Sequence, residues 1–166
     1  MNILNIIKNL KINFFKKENI FFGIIIFFIF ALDRISKNQI ISNYNENTVF
    51  INDNLNFDLI WNTGVGFGLL SSNSDIFYNI ITMIIGLVII FLSLISLNLD
   101  KLEKVIYCTI IGGAIGNFYD RLKFKAVPDF IDLHYNNFHW FTFNVADIFI
   151  SLGIIAFILR SFFVKN

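Results

Sequence analysis

Four apolar runs alternate with two long polar stretches along this chain. The runs cover about residues 20–41, 75–97, 105–121 and 143–164. Each is predicted to be a membrane-spanning helix, since a bilayer core needs roughly 20 apolar residues in a row. In the first run the apolar part alone is too short. Its continuation through LDRISK must place Asp33, Arg34 and Lys37 toward the far end of the span or against other helices. The second run is the cleanest, with Asn79 as its one strongly polar residue. The polar stretches, 42–74 and 122–142, are predicted to be loops. Within the first of them, VFINDNLNFDLIWNTGVGFGLL alternates and is β-rich, which predicts a small sheet at the membrane surface. WNTGVGFG reads as a turn whose glycines admit unusual backbone angles.

Composition agrees with this pattern. Of 166 residues, 56% are hydrophobic and only 15% charged, too few charges for an ordinary soluble domain. A net charge of +1 gives no field that would recruit nucleic acid. The lone Cys108 cannot form an internal disulfide and reads as a small apolar filler. No repeat or second domain is visible, so one integral membrane domain over 1–166 is expected. Lys8, Lys11, Lys16 and Lys17 precede the first run as they would in a signal peptide. No small-residue cleavage site follows, however, so a retained first helix is expected. With four crossings, these lysines, Lys101, Lys104, Arg160 and Lys165 fall on one side, which predicts cytoplasmic termini.

That topology brings the unusual polar residues to one level. Asp33 and Lys37 lie at the outer end of the first helix, and Asn117, Asp120 and Arg121 at the outer end of the third. Asn144 and Asp147 lie in the first turns of the fourth. Ionisable groups in membrane segments are expensive and mark functional sites. Asp33–Lys37 and Asp120–Arg121 read as structural ion pairs. Asn62, Asn117 and Asn144 leave two readings open, cap or loop hydrogen bonding and contact with a substrate backbone. Asp129 and Asp147 have no basic partner in their own segments. Two such acids side by side can share a proton, one activating water while the other protonates a leaving amine. Gly112 and Gly116 form a G-x-x-x-G that permits close helix packing.

The polar residues also admit rival chemistry. Asp132, His134 and His139, with Asp129 or Asp147, supply enough N and O ligands for zinc. No H-E-x-x-H or cysteine pair accompanies them, and loop histidines near aromatics are more often interfacial, so no metal site is assigned. A small proton-coupled transporter would also need intramembrane acids, but near the midplane rather than at one boundary.

Five motifs in order, LDRISK, WNTGVGFG, GGAIGNFYDRL, VPDFIDLH and FNVADIFISLG, make the chain resemble lipoprotein signal peptidase, the signal peptidase II family. The resemblance implies an all-α membrane protein of four helices with a small extracytoplasmic β-cradle and a short surface helix. It implies an aspartic endopeptidase of the bacterial inner membrane, acting at the extracytoplasmic face. The substrate would be a diacylglyceryl-modified prolipoprotein, cut before the lipidated cysteine. No cofactor is implied, globomycin-type inhibitors are, and a monomer among membrane lipids is expected. By motif Asp129 and Asp147 correspond to the catalytic pair. Asp33, Lys37, Asn62, Gly64, Asn117, Asp120, Arg121 and Asn144 correspond to the supporting or substrate-binding set. Two positions depart from the pattern. Gly66 stands where Ala or Ser is commoner, and Pro128, where an aliphatic is usual, removes an N–H and restricts Val127 beside Asp129.

Overall fold

A computed structural model of the chain describes residues 16–43, 48–64, 75–136 and 138–163. Four helices lie in the described residues. Helix α1 is Lys17–Asn43, α2 is Asp75–Ser96, α3 is Lys101–Phe124 and α4 is Val145–Phe163. Three of them, Lys17–Asn43, Tyr78–Ser96 and Val145–Phe163, are long and apolar enough to cross a membrane. Their outward faces carry bare hydrophobics such as Phe27, Leu87 and Phe162, a belt suited to lipid.

Helix α3 has the length to cross as well, yet its composition is mixed, and its position explains why. It packs against each of the other three helices. A central helix faces protein instead of lipid, so small and polar side chains are useful there. Its glycines set the approach. A Cβ on Gly112 would meet Ile29 of α1 at 2.9 Å, and one on Gly113 would meet the Ala146 carbonyl of α4 at 2.5 Å. On α1 the buried residues Phe22, Ile29, Asp33, Lys37 and Ile40 recur at three, four and seven, one stripe toward α3.

The third helix begins earlier than its apolar run. LDKLEK reads in the sequence as a short charged loop, but the helix begins inside it at Lys101, with Asp100 as N-cap accepting from the Leu102 and Glu103 amides. Lys104 is buried, donating to Asn19 at 2.7 Å.

The 122–142 stretch is a larger correction. The structure extends α3 through Phe124, caps it with Lys125 in the left-handed region at φ 54°, and enters strands at once. Four strands form one antiparallel sheet in the order β1-β2-β3-β4: Val49–Asn52, Leu55–Asn62, Val127–Tyr135 and Phe138–Phe143. Only the first half was expected from alternation. The polar and aromatic residues of the second half disguise a hairpin, turned through Asn136 at φ 52°. Pro128 is accommodated: Val127, Pro128 and Asp129 still pair with Asn62, Trp61 and Ile60, and β4 pairing begins only at Ile131. Gly66, the end of WNTGVGFG and residues 65–74 generally lie outside the described residues, and no short surface helix occurs among the described ones.

Candidate active site

The polar ends of α1 and α3, the start of α4 and strands β2 and β3 meet at one end of the bundle. Their foundation is a buried charge cluster. Asp33, Lys37 and Asp120 are wholly buried. The Lys37 ammonium reaches Asp33 at 3.0 Å, Asp120 at 2.8 Å and the Asn117 side-chain oxygen at 2.8 Å. That uses all three of its donors. Arg34 donates to Asp120 at 2.5 and 2.7 Å and to Asp33 at 2.9 Å. Two carboxylates thus face two cations, which is what makes such burial tolerable. Asp33 Oδ1, which also lies 2.9 Å from the Lys37 ammonium, accepts the Ala146 amide of α4 at 3.0 Å, taking up one of the open N–H groups at that helix start.

Three asparagines then hold two acids. Asn62 donates to one oxygen of Asp129 at 2.8 Å and Asn144 to the other at 2.5 Å. Asn117 donates to Asp147 at 2.7 Å. Each amide is aimed by what its own oxygen accepts. Asn62 accepts the Gly64 N–H at 2.8 Å, Asn117 accepts Lys37, and Asn144 accepts the Asp147 N–H at 3.1 Å. With the oxygen occupied, the NH2 end must point at the carboxylate. Asn144 also gives its backbone N–H to Asp147 at 3.2 Å, closing a reciprocal cap on α4. It therefore touches both acids, and Asp129 and Asp147 are neighbours across it.

Arg121 does not pair with Asp120. Adjacent helix positions point about 100° apart, and Asp120 turns to α1 while Arg121 donates to the carbonyls of Asn117 at 3.2 Å and Gly64 at 3.1 Å. It thereby ties the residues after β2, and through them Asn62, to α3. Asp129 is 3% exposed. Burial, and then the charge of Asp147, push its carboxyl up to about 6, against the opposing hydrogen bonds from Asn62 and Asn144. An apolar cavity of about 240 Å³ opens beside Asp147, walled by Leu133, Phe141 and Phe143 of the sheet and Ile148 and Leu152 of α4.

The family described as signal peptidase (SPase) II matches residues 25–163. The chain belongs to the signal peptidase II family. The lipoprotein signal peptidase of Pelagibacter ubique (strain HTCC1062) is 46% identical over 146 residues, covering 86% of this chain and 88% of its own. That of Aquifex aeolicus (strain VF5) is 40% identical over 159 residues, covering 92% of each. A solved bacterial membrane enzyme superposes with a TM-score of 0.70 at 28% identity, over 85% of this chain and 87% of its own. These relatives support a peptidase in the membrane and give no support to a transporter.

All ten sequence-derived site residues gather at this one end of the signal peptidase II fold: Asp129, Asp147, Asp33, Lys37, Asn62, Gly64, Asn117, Asp120, Arg121 and Asn144. The Asp33–Lys37 pair is present, and the Asp120–Arg121 pair is replaced by Asp120 with Arg34 and Lys37. Arg34 is the residue that spacing missed. It is next to Asp33 in LDRISK, and a second cation there was the available signal. Asp132, His134 and His139 do come together, but away from Asp129: along β3 side chains alternate, so Asp129 and Asp132 face opposite sides of the sheet.

Proposed function

We propose that this chain is an aspartic endopeptidase that removes the signal peptide of diacylglyceryl-modified prolipoproteins, cleaving before the lipidated cysteine. The observation that carries the reading is the meeting of Asp129 and Asp147 on Asn144. In this mechanism the pair holds one proton. The ionised carboxylate takes a proton from a water poised at the scissile carbonyl, and the water oxygen bonds to the carbonyl carbon. The protonated carboxyl hydrogen-bonds the carbonyl oxygen as it gains charge. Collapse of the tetrahedral adduct breaks the C–N bond, with a proton passed from the pair to the leaving amine of the cysteine. The asparagine N–H groups fix both carboxylates and leave the proton between them, and no cofactor takes part. The cavity beside Asp147 suits an apolar part of the substrate, and globomycin-type inhibitors would compete for the same place.

The four helices make four crossings of the bacterial inner membrane as one domain, in this reading, with the chain acting as a monomer among its lipids. Support comes from the end opposite the acids. Lys101 lies by Glu18, Lys104 by Asn19, and Arg160 by Asp100 and Glu103, so basic residues of α3 and α4 collect beside the start of α1. Positive residues stay cytoplasmic, which puts both termini inside and the acids at the extracytoplasmic face.

The test is cleavage of a purified diacylglyceryl-modified prolipoprotein in detergent by wild type, Asp129→Asn and Asp147→Asn. Wild type should cut before the lipidated cysteine. Each variant should lose at least about a hundredfold in rate. A variant that cuts at the wild-type rate overturns the paired-acid mechanism.

A further inference from the structure

The chain has two histidines, His134 and His139, and the structure sets them opposite each other on β3 and β4. Strict alternation would not do this. Ile131, Asp132 and Leu133 pair with Phe143, Thr142 and Phe141, so the next partner of His134 would be Trp140. A register shift inserts Trp140 as an extra residue and pairs His134 with His139. Such a bulge re-aims a side chain. Here it brings His139 to the face that carries His134 and Asp132. The two rings stack with centroids 5.3 Å apart and planes 29° from parallel.

Both imidazoles converge on a single oxygen. The Nδ1 of His139 is 2.8 Å from Asp132 Oδ2, and the Nδ1 of His134 is 3.5 Å from it. One ligand atom from each of the three residues lies within 4.8 Å of the others. A tetrahedral zinc ion with bonds of about 2.0–2.1 Å places its ligand atoms about 3.4 Å apart. The His134 nitrogen is at that spacing from Asp132 Oδ2, and the His139 nitrogen, now hydrogen-bonded at 2.8 Å, would move outward by about half an ångström. The second observation is a group of orphaned polar atoms. Among the described residues, His134 Nδ1, Asp132 Oδ1 and Asn56 Oδ1 are buried without a hydrogen-bond partner. Asn56 is the cross-strand neighbour of Asp132, so all three belong to one patch. Buried polar atoms left unpaired point to a missing partner. The two side-chain oxygens are acceptors, and with the His134 proton on Nε2 its Nδ1 is one as well, a set that suits a cation.

We propose that Asp132, His134 and His139 bind one divalent transition-metal ion, with zinc the natural choice for two imidazoles and a carboxylate. The site lies on the opposite face of β3 from Asp129 and is independent of the hydrolytic pair. His139 is 61% exposed, so ions enter from solvent and a water completes the coordination. The ion pins β4 to β3 across the bulge, three residues along the strand from Asp129.

The experiment is a Zn2+ titration of the full chain in detergent, purified without a polyhistidine tag and read by competition with a chromophoric chelator. Wild type should bind one ion per chain, and excess Mg2+, which prefers all-oxygen sites, should not displace it. His139→Ala alters an exposed side chain and should still fold, and Asp132→Asn keeps the shape. Each should weaken binding by at least about tenfold and leave prolipoprotein cleavage in place. Bound Co2+ should show the intense visible bands of a four-coordinate site in wild type only. Equal Zn2+ binding by wild type and His139→Ala, or displacement by Mg2+, overturns the proposal.

Discussion

Asn117 gives its side-chain N–H to Asp147 at 2.7 Å because its oxygen is already held by the Lys37 ammonium at 2.8 Å. A buried cation on α1 thereby decides which way an amide on α3 faces a carboxylate on α4. The same ammonium neutralises Asp33 and Asp120, so its removal acts on the fold and the acids together.

Lys37→Met leaves those two carboxylates with one guanidinium between them. Breaking a buried ion cluster by deleting one partner costs roughly 3–5 kcal/mol. Thermal unfolding in detergent should show that loss. Arg160→Ala, at the other end of the bundle, removes ion pairs with the solvent-exposed Asp100 and the partly exposed Glu103 and should lower the unfolding midpoint far less. Comparable losses in the two variants would show that the Lys37 cluster is no more than a surface pair.

Asn144 has two tasks that substitution can separate. Asn144→Ala removes the cap of α4 and should cost about 1 kcal/mol. Asn144→Ser restores a capping oxygen but offers no amide to Asp129. Unfolding should therefore show Ser close to wild type, while cleavage by both variants falls at least about tenfold. A fully active Ser variant would mean that the contact with Asp129 is dispensable.

Asp129 gives a pH signature. Its carboxyl is lifted from the ordinary 3.8 to about 6, so the folded chain keeps a proton that the unfolded chain has lost. The stability this proton confers is fully present below pH 3.8 and is lost as pH rises through about 6. Asp129→Asn carries no such proton. Its melting temperature should gain on wild type between about pH 4 and about pH 7 and hold that gain above. Cleavage by wild type should share the transition, with kcat/KM falling above about pH 6 as the pair loses its proton. A difference in melting temperature that does not change with pH would contradict the lifted carboxyl.

Gly113 has no room to grow. A methyl there would lie 2.5 Å from the Ala146 carbonyl, in the first turn of the helix that carries Asp147. Gly113→Ala should cost about 1–3 kcal/mol and slow cleavage by displacing α4. Gly23→Ala, with nothing within 4 Å, should gain up to about 1 kcal/mol from helix propensity alone. Unfolding midpoints of the pair would measure the contrast.

The sequence carried the helices because lipid-facing runs cannot be disguised, and it carried the acids because charge is costly in such surroundings. It hid what depends on three dimensions. The start of α3 was obscured because Lys104 lies within a charged hexapeptide yet is buried by packing. Strands β3 and β4 were obscured because the alternation of β4 is broken at Trp140 and the pairing of β3 to β2 spans some 70 residues of chain. Asp120 was paired with its sequence neighbour because linear adjacency says nothing of helical direction. The three asparagines bond to the two acids, which no spacing argument foresaw, while Asn144 also caps α4 and Asn62 also holds the Gly64 amide.

The bond from the Ala146 amide to Asp33 joins residues 113 positions apart, the last helix to the first. Asp33 leaves the ribosome long before the amide it will cap exists. Until α4 arrives, the charged cluster between α1 and α3 has one open side, where Asp33 Oδ1 has Lys37 beside it but not yet the backbone amide. Biogenesis of this protein thus has a natural final step, the docking of α4. That step completes the cap and delivers Asp147 to Asn117 at once, so under the paired-acid mechanism proposed above a nascent chain would stay inert until α4 is in place.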